Sequence, residues 1–235
     1  MRKVSLCFAF LLLAILSTLP AVATTVKNLE AESNWLTCTT CGNKDSGGYA
    51  APHSMTQKVK SPSLNGSASQ FWLGGGVPYS DVIWWKRLGG SQSSNFIYDL
   101  WFYVKDPTAA QALEFDVNDS INNQWYVFGT ECNYRQTRTW RVWDTKNAKW
   151  ISTGIACAPP KAYSWNHVTL EFKRANGKAN FVAVTLNRSK HYINQSYYPK
   201  SSPGGYQTSV AFQMDGNYQQ KDFSVWINQM LLTHW

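Results

Sequence analysis

Between positions 111 and 119 the chain reads QALEFDVND, with Leu113, Phe115 and Val117 alternating with Glu114, Asp116 and Asn118. A period of two marks a strand with one buried and one wet face. It sets two carboxylates and an amide in a row on the polar side, with Asp119 close behind, and an apolar trio on the other. Further short apolar or alternating runs occupy 56–60, 70–73, 81–88, 96–104, 124–131, 139–143, 150–155, 167–173, 181–186, 209–214 and 223–231. Turn chemistry separates them: Asn65-Gly66, Gly74-Gly75-Gly76, Lys146-Asn147, Asn176-Gly177 and Asp215-Gly216-Asn217. No segment sustains a 3.6-residue period with caps, and no repeat of 20–50 residues is visible. About a dozen short strands predict an all-β sandwich or barrel.

Several details follow from the pleat. Trp84 and Trp85 are adjacent, so one must face each side of its strand. The run FIYDLWFYV over 96–104 is almost continuously apolar, which predicts a central strand covered on both faces. Residues 124–131 (QWYVFGTE) suit an antiparallel neighbour of the 111–119 strand across a short loop, able to set Trp125 or Tyr126 beside Glu114. Trp101, Trp165 and Trp226 are expected in the core. Residues 197–206 read as a Pro/Ser/Gly loop.

The N-terminus carries Arg2 and Lys3, an apolar run from Leu6 to Leu16, and Ala21-Val22-Ala23. That order is a secretory leader, with cleavage expected after Ala23. Its apolar segment is too short to span a bilayer comfortably. The expected organisation is a signal peptide over 1–23, a disulfide-stapled lead-in over 24–54 and a β-sandwich domain over 55–235. Cys38, Cys41, Cys132 and Cys157 then remain; an even count in an exported chain reads as two disulfides. Pairing near neighbours gives Cys38–Cys41 and Cys132–Cys157, a zinc site being disfavoured by the spacing of the second pair.

Loss of Arg2 and Lys3 lowers the formal net charge from +8 to +6, a weak bias toward polyanionic surfaces. Twelve Trp and twelve Tyr say more, because such rings in surplus build a large core, a stacking surface, or both. Arg135, Arg138 and Arg141 with Trp140 and Trp143 are compatible with an anionic polysaccharide. Nucleic acid is disfavoured by export and by the lack of a recognised module. Phosphate-loop, dinucleotide, Gly-x-Ser-x-Gly and HExxH motifs are absent. His53, His167, His191 and His234 show no ligand spacing.

The strand LEFDV, the later WNHVTLEFKRANGKANFVAVTLN hairpin and the closing AFQMDGN…FSVWINQMLL together resemble the concanavalin A-like lectin/glucanase superfamily. The resemblance implies a jelly-roll sandwich of two antiparallel sheets whose concave face holds carbohydrate. It covers roughly 55–235. Against the Glu-x-Asp-x-Glu strand of family 16 glycoside hydrolases, Glu114 matches the nucleophile and Asp116 the helper. The third position departs, being Asn118 in regular spacing or Asp119 in a bulged one. Legume lectins carry a similar Glu-Phe-Asp that holds metal, but the Asp and His they need downstream are missing from 120–128. A structural Ca²⁺ held by loop oxygens is compatible with the sequence, and no other cofactor is expected.

The expected protein is therefore secreted or periplasmic, monomeric and free of the membrane after leader cleavage. It binds a poly- or oligosaccharide, neutral or anionic, through Glu114, Asp116, Asn118, Trp125, Tyr126 and Arg141, without cleaving it. The alternative activity is a retaining endo-glucanase using Glu114, Asp116 and Asp119. A third reading is a structural envelope or matrix protein.

Overall fold

The structure, a computed structural model, describes residues 22–39 and 51–235. The leader up to position 21 and Cys41, with its expected bond to Cys38, lie outside the described residues.

The chain folds into short antiparallel strands. The lead-in supplies β1 (Thr24–Val26), a 3₁₀ turn (Leu29–Ala31) and β2 (Leu36–Cys38). Then come β3 (His53–Val59), β4 (Ala68–Leu73), β5 (Asp81–Gly89), β6 (Asn95–Val104), β7 (Ala110–Ile121) and β8 (Gln124–Asn133). They are followed by β9 (Thr139–Asp144), β10 (Lys149–Ala156), β11 (Ser164–Ala175), β12 (Lys178–Leu186) and β13 (Ser189–Tyr197). The last are β14 (Lys200–Ser201), β15 (Gln207–Gly216) and β16 (Phe223–His234).

Two eight-stranded antiparallel sheets result. One runs β13-β12-β11-β6-β16-β4-β3, with β1 on β16; the other runs β10-β9-β8-β7-β15-β5-β2, with β14 on β8. This is the two-sheet jelly-roll sandwich expected. Inward faces of both sheets interdigitate around Phe71, Phe96, Phe102, Phe115, Phe128, Phe181 and Phe212, all fully buried. Removal of each such side chain from water contributes roughly 1.5–3 kcal/mol.

Turn residues set the register. Asn122 and Asn123 adopt φ of 52° and 57°, the left-handed pair that a two-residue hairpin requires, and Asn176-Gly177 repeats the device at 53° and 66°. The first turn pairs Glu114 with Glu131 and Asp119 with Tyr126. Cys132 and Cys157 form the expected disulfide, tying the β9–β10 hairpin to β8.

The structure departs from expectation in four places. β6 is central, but its residues alternate between buried and half-buried, so only one face is sealed. Its other face carries Trp101 and Tyr103, which pack with His167 (4.5 Å), Trp165 (5.6 Å) and Trp226 (5.8 Å). Trp101 and Trp165 are thus half-buried on this outer face, and Trp226, itself buried, packs there against Tyr103, so a fully apolar run does not require a second layer. Residues 189–197 form the edge strand β13, whose polar composition hid it, and 200–201 add a short strand within the expected loop. The lead-in joins both sheets. Its buried Glu30 accepts hydrogen bonds from the backbone N–H of Gln229 (2.8 Å) and Met230 (3.0 Å), where β16 breaks register against β6.

Candidate functional site

The outer face of the second sheet holds a groove of about 1070 Å³. Alternation selects its lining: Ile83, Trp85 and Arg87 from β5, Glu114, Asp116 and Asn118 from β7, and Glu131 and Asn133 from β8. Arg141 and Trp143 come from β9, and Ser209, Gln213 and Asp215 from β15. Trp84, the neighbour of Trp85, points into the core.

Cross-strand register arranges these residues in rows. Glu114 lies between Glu131 on β8 and Gln213 on β15, and Arg141 on β9 continues the row. In the next row Asp116 stands between Gly129 and Ala211, and Trp85 lies beyond Ala211. A Cβ on Gly129 would meet Cβ of Trp143 at 2.9 Å and Oδ1 of Asp116 at 3.5 Å, so Trp143 walls the far side. The floor is thus acidic and short, between two indole walls. Trp143 packs edge-on against Trp150 at 5.2 Å, and the Arg141 guanidinium lies 5.6 Å from the Trp150 ring.

Four buried carboxylates, Asp81, Glu114, Asp116 and Glu131, gather on this floor with the half-buried Asp215. Arg141 donates to Glu131 in a close ion pair, the Thr130 N–H donates to Asp116 at 3.2 Å, and Gln213 Nε2 donates to Asp215 at 2.8 Å. Burial pushes Asp116 and Glu131 up to about 7, opposed in Glu131 by Arg141. Burial, reinforced by neighbouring acids, holds Glu114 and Asp215 well above the ordinary carboxylate range. Near neutral pH the floor therefore retains protons and both donates and accepts hydrogen bonds.

Glu114, Glu131 and Asp215 each bring one oxygen within 4.8 Å of the others. Such hard oxygen donors suit a cation like Ca²⁺, which takes 6–8 oxygens, so the one oxygen that each brings together here would need others beside it. No histidine joins a cluster of potential ligands among the described residues.

Of the residues the sequence singled out, Glu114, Asp116, Asn118, Trp125 and Arg141 line the groove. Asp119 and Tyr126 do not. β7 pairs with β8 without a bulge from Ala112 to Ile121, so Asp119 falls on the inward face. There its carboxylate accepts from Arg174 Nε and from Thr208 Oγ1, both at 3.0 Å. Tyr126 opposes Asp119, is buried in the core cluster, and has the Arg174 guanidinium 5.7 Å from its ring. Trp125, 38% exposed, takes the groove side instead. Arg174, on β11, makes this group a strap between the sheets.

Asp119→Asn should therefore destabilise the fold by about 2 kcal/mol and leave groove ligand affinity unchanged, read by denaturant melts and a binding isotherm. The cost falls below the ~3–5 kcal/mol of a sealed pair because Arg174 keeps its hydrogen bond to Ser93 O at 2.7 Å.

No protein-family model matches the sequence, and a search of curated proteins finds no match. Solved structures do share the fold. The alginate lyase Aly36B superposes with a TM-score of 0.55 at 10% identity, over 90% of this chain and 97% of that one. The cellulose-induced protein Cip1 gives 0.51 at 9% identity, over 84% and 90%. At such identities the likeness is one of architecture: a jelly-roll β-sandwich consistent with the concanavalin A-like resemblance.

Proposed function

We propose that the groove binds a polysaccharide of pyranose units. The observation that carries this reading is the row in which Trp85 and Trp143 flank Ala211, Asp116 and Gly129. Apolar ring faces of a sugar stack on indoles, and its hydroxyls need donors and acceptors at close range. The protonated acids, Asn118, Asn133 and Gln213 offer both. Arg87, Lys149 and Lys200 on the walls extend the reading to uronate-bearing chains. One form of Aly36B, a protein of the same architecture, holds an alginate trisaccharide. The Cys132–Cys157 bridge fits export to an oxidising compartment, as the leader implies.

Native affinity gels containing xylan, lichenan or alginate test the reading. At least one polymer should retard the protein, and Trp85→Ala and Trp143→Ala should each weaken binding tenfold or more, about 1.4 kcal/mol. Retardation by none would return the protein to a structural envelope role.

A further inference from the structure

Glu131 was not among the residues the 111–119 strand singled out, yet it stands directly opposite Glu114 in the β7–β8 ladder. Their carboxylate oxygens approach within 4.8 Å, close to the ~5–5.5 Å between carboxyl groups that a double-displacement cleavage of a glycosidic bond uses. The two glutamates have unlike surroundings. Arg141 donates to Glu131 from the groove wall and favours its carboxylate. The neighbours of Glu114 on the floor are Asp116, Asp215, Glu131 and Gln213, and its carboxyl is hydrogen-bonded to Asp116. A carboxyl set among acids holds its proton more tightly than one clamped by a guanidinium, so of the two Glu131 is the first to ionise as pH rises. The indole-flanked row through Asp116 is two residues along β7, so a pyranose held there brings its linkage over the pair.

We infer that the groove also hydrolyses the polysaccharide it binds, with Glu114 as proton donor and Glu131 as nucleophile, an inference that rests on the binding reading above. In the first step Glu114 gives its proton to the glycosidic oxygen as the bond to the anomeric carbon breaks, and a Glu131 oxygen bonds to that carbon. In the second step water gives a proton to Glu114 while its oxygen attacks the anomeric carbon and releases Glu131. One water is consumed, and two chain fragments form, one with a new reducing end. Asp116 acts as a positioning residue, accepting from Glu114 while its own carboxylate accepts from Thr130 N–H. The pair spans two strands, unlike the single-strand triplet to which Glu114 and Asp116 were compared, and it leaves Asp119 out.

Reducing-end release from xylan, lichenan and alginate, measured alongside affinity gels, tests this. The full-length protein should release reducing ends from a polymer that retards it. Glu114→Gln and Glu131→Gln should each lower release at least 1000-fold. Azide should restore turnover to Glu131→Ala as a glycosyl azide, which a merely structural role would not produce. Where that variant does not fold, a 2-deoxy-2-fluoroglycoside on the unaltered protein gives the same answer, by adding its mass to the peptide that carries Glu131. Retardation without release from any polymer overturns the hydrolytic inference and leaves the binding groove standing. Release that survives Glu131→Gln, or label on another peptide, overturns the assignment of the pair. Neither retardation nor release removes the groove reading itself.

Discussion

Arg141→Leu lowers the stability of the fold by about 3 kcal/mol at pH 8 and by much less at pH 5. The guanidinium is the cation that faces the nearly sealed Glu131 carboxylate, whose side chain is 3% exposed. Loss of one partner of a buried pair costs about 3–5 kcal/mol, and the lower end applies because Arg141 itself is 20% exposed. The pH dependence follows from the direction of the shift. Burial raises Glu131 to about 7 in the folded protein even with Arg141 present, whereas the unfolded chain titrates near 4.3. The native state thus holds the proton more tightly, and stability falls as pH climbs from about 4.3 through about 7. Without Arg141 the folded value climbs further, so the variant loses more at pH 8. At pH 5 Glu131 is protonated in both proteins, and what is lost is a hydrogen bond to a neutral carboxyl and the contact of the guanidinium with the Trp150 ring. Urea melts at the two pH values read the difference directly. Glu131→Gln in the Arg141→Leu background should recover most of the pH 8 loss.

The same register explains how much of the molecule could be read from its sequence. Leu113, Phe115 and Val117 announced the buried face of β7, and Asn176-Gly177 announced a hairpin, because both signals are local. Once Asn122 and Asn123 are taken as a two-residue turn, pairing across it is fixed. Ser120 meets Trp125, Asp119 meets Tyr126, and Glu114 meets Glu131. That parity distinguishes Trp125 from Tyr126 and finds Glu131 without coordinates. The signal was masked because Val127 lines the groove and Gly129 stands opposite Asp116, so 124–131 carries no visible alternation. Asp81 and Asp215 were beyond reach for a different reason. β15 joins the sheet some ninety positions after β7, and no local pattern specifies that crossover. Likewise Glu30 resembles a surface acid until β16 is seen to break register over it.

Gly129→Leu and Ala211→Leu should each reduce polysaccharide affinity at least 100-fold, about 2.7 kcal/mol, from opposite sides of Asp116. Ala211 lines the groove, and Gly129 stands on the other side of Asp116 in the same row, beside Trp143. Their small size leaves a sugar ring room to reach the Asp116 carboxyl while lying against Trp85 or Trp143. A leucine at 129 would place its Cβ 2.9 Å from Cβ of Trp143, an atom that moves only with its backbone. The β9 wall must shift, costing about 1–3 kcal/mol of stability besides. A leucine at 211 projects into the groove beside Trp85 and leaves Trp143 alone, which separates obstruction from distortion of the wall. Equal loss in the two variants, by isothermal titration with the polymer that retards the protein, places the ligand in the Asp116 row. Loss in Gly129→Leu alone would mean that the displaced wall, not the filled floor, governs affinity, and the ligand would then lie along β9 and β10.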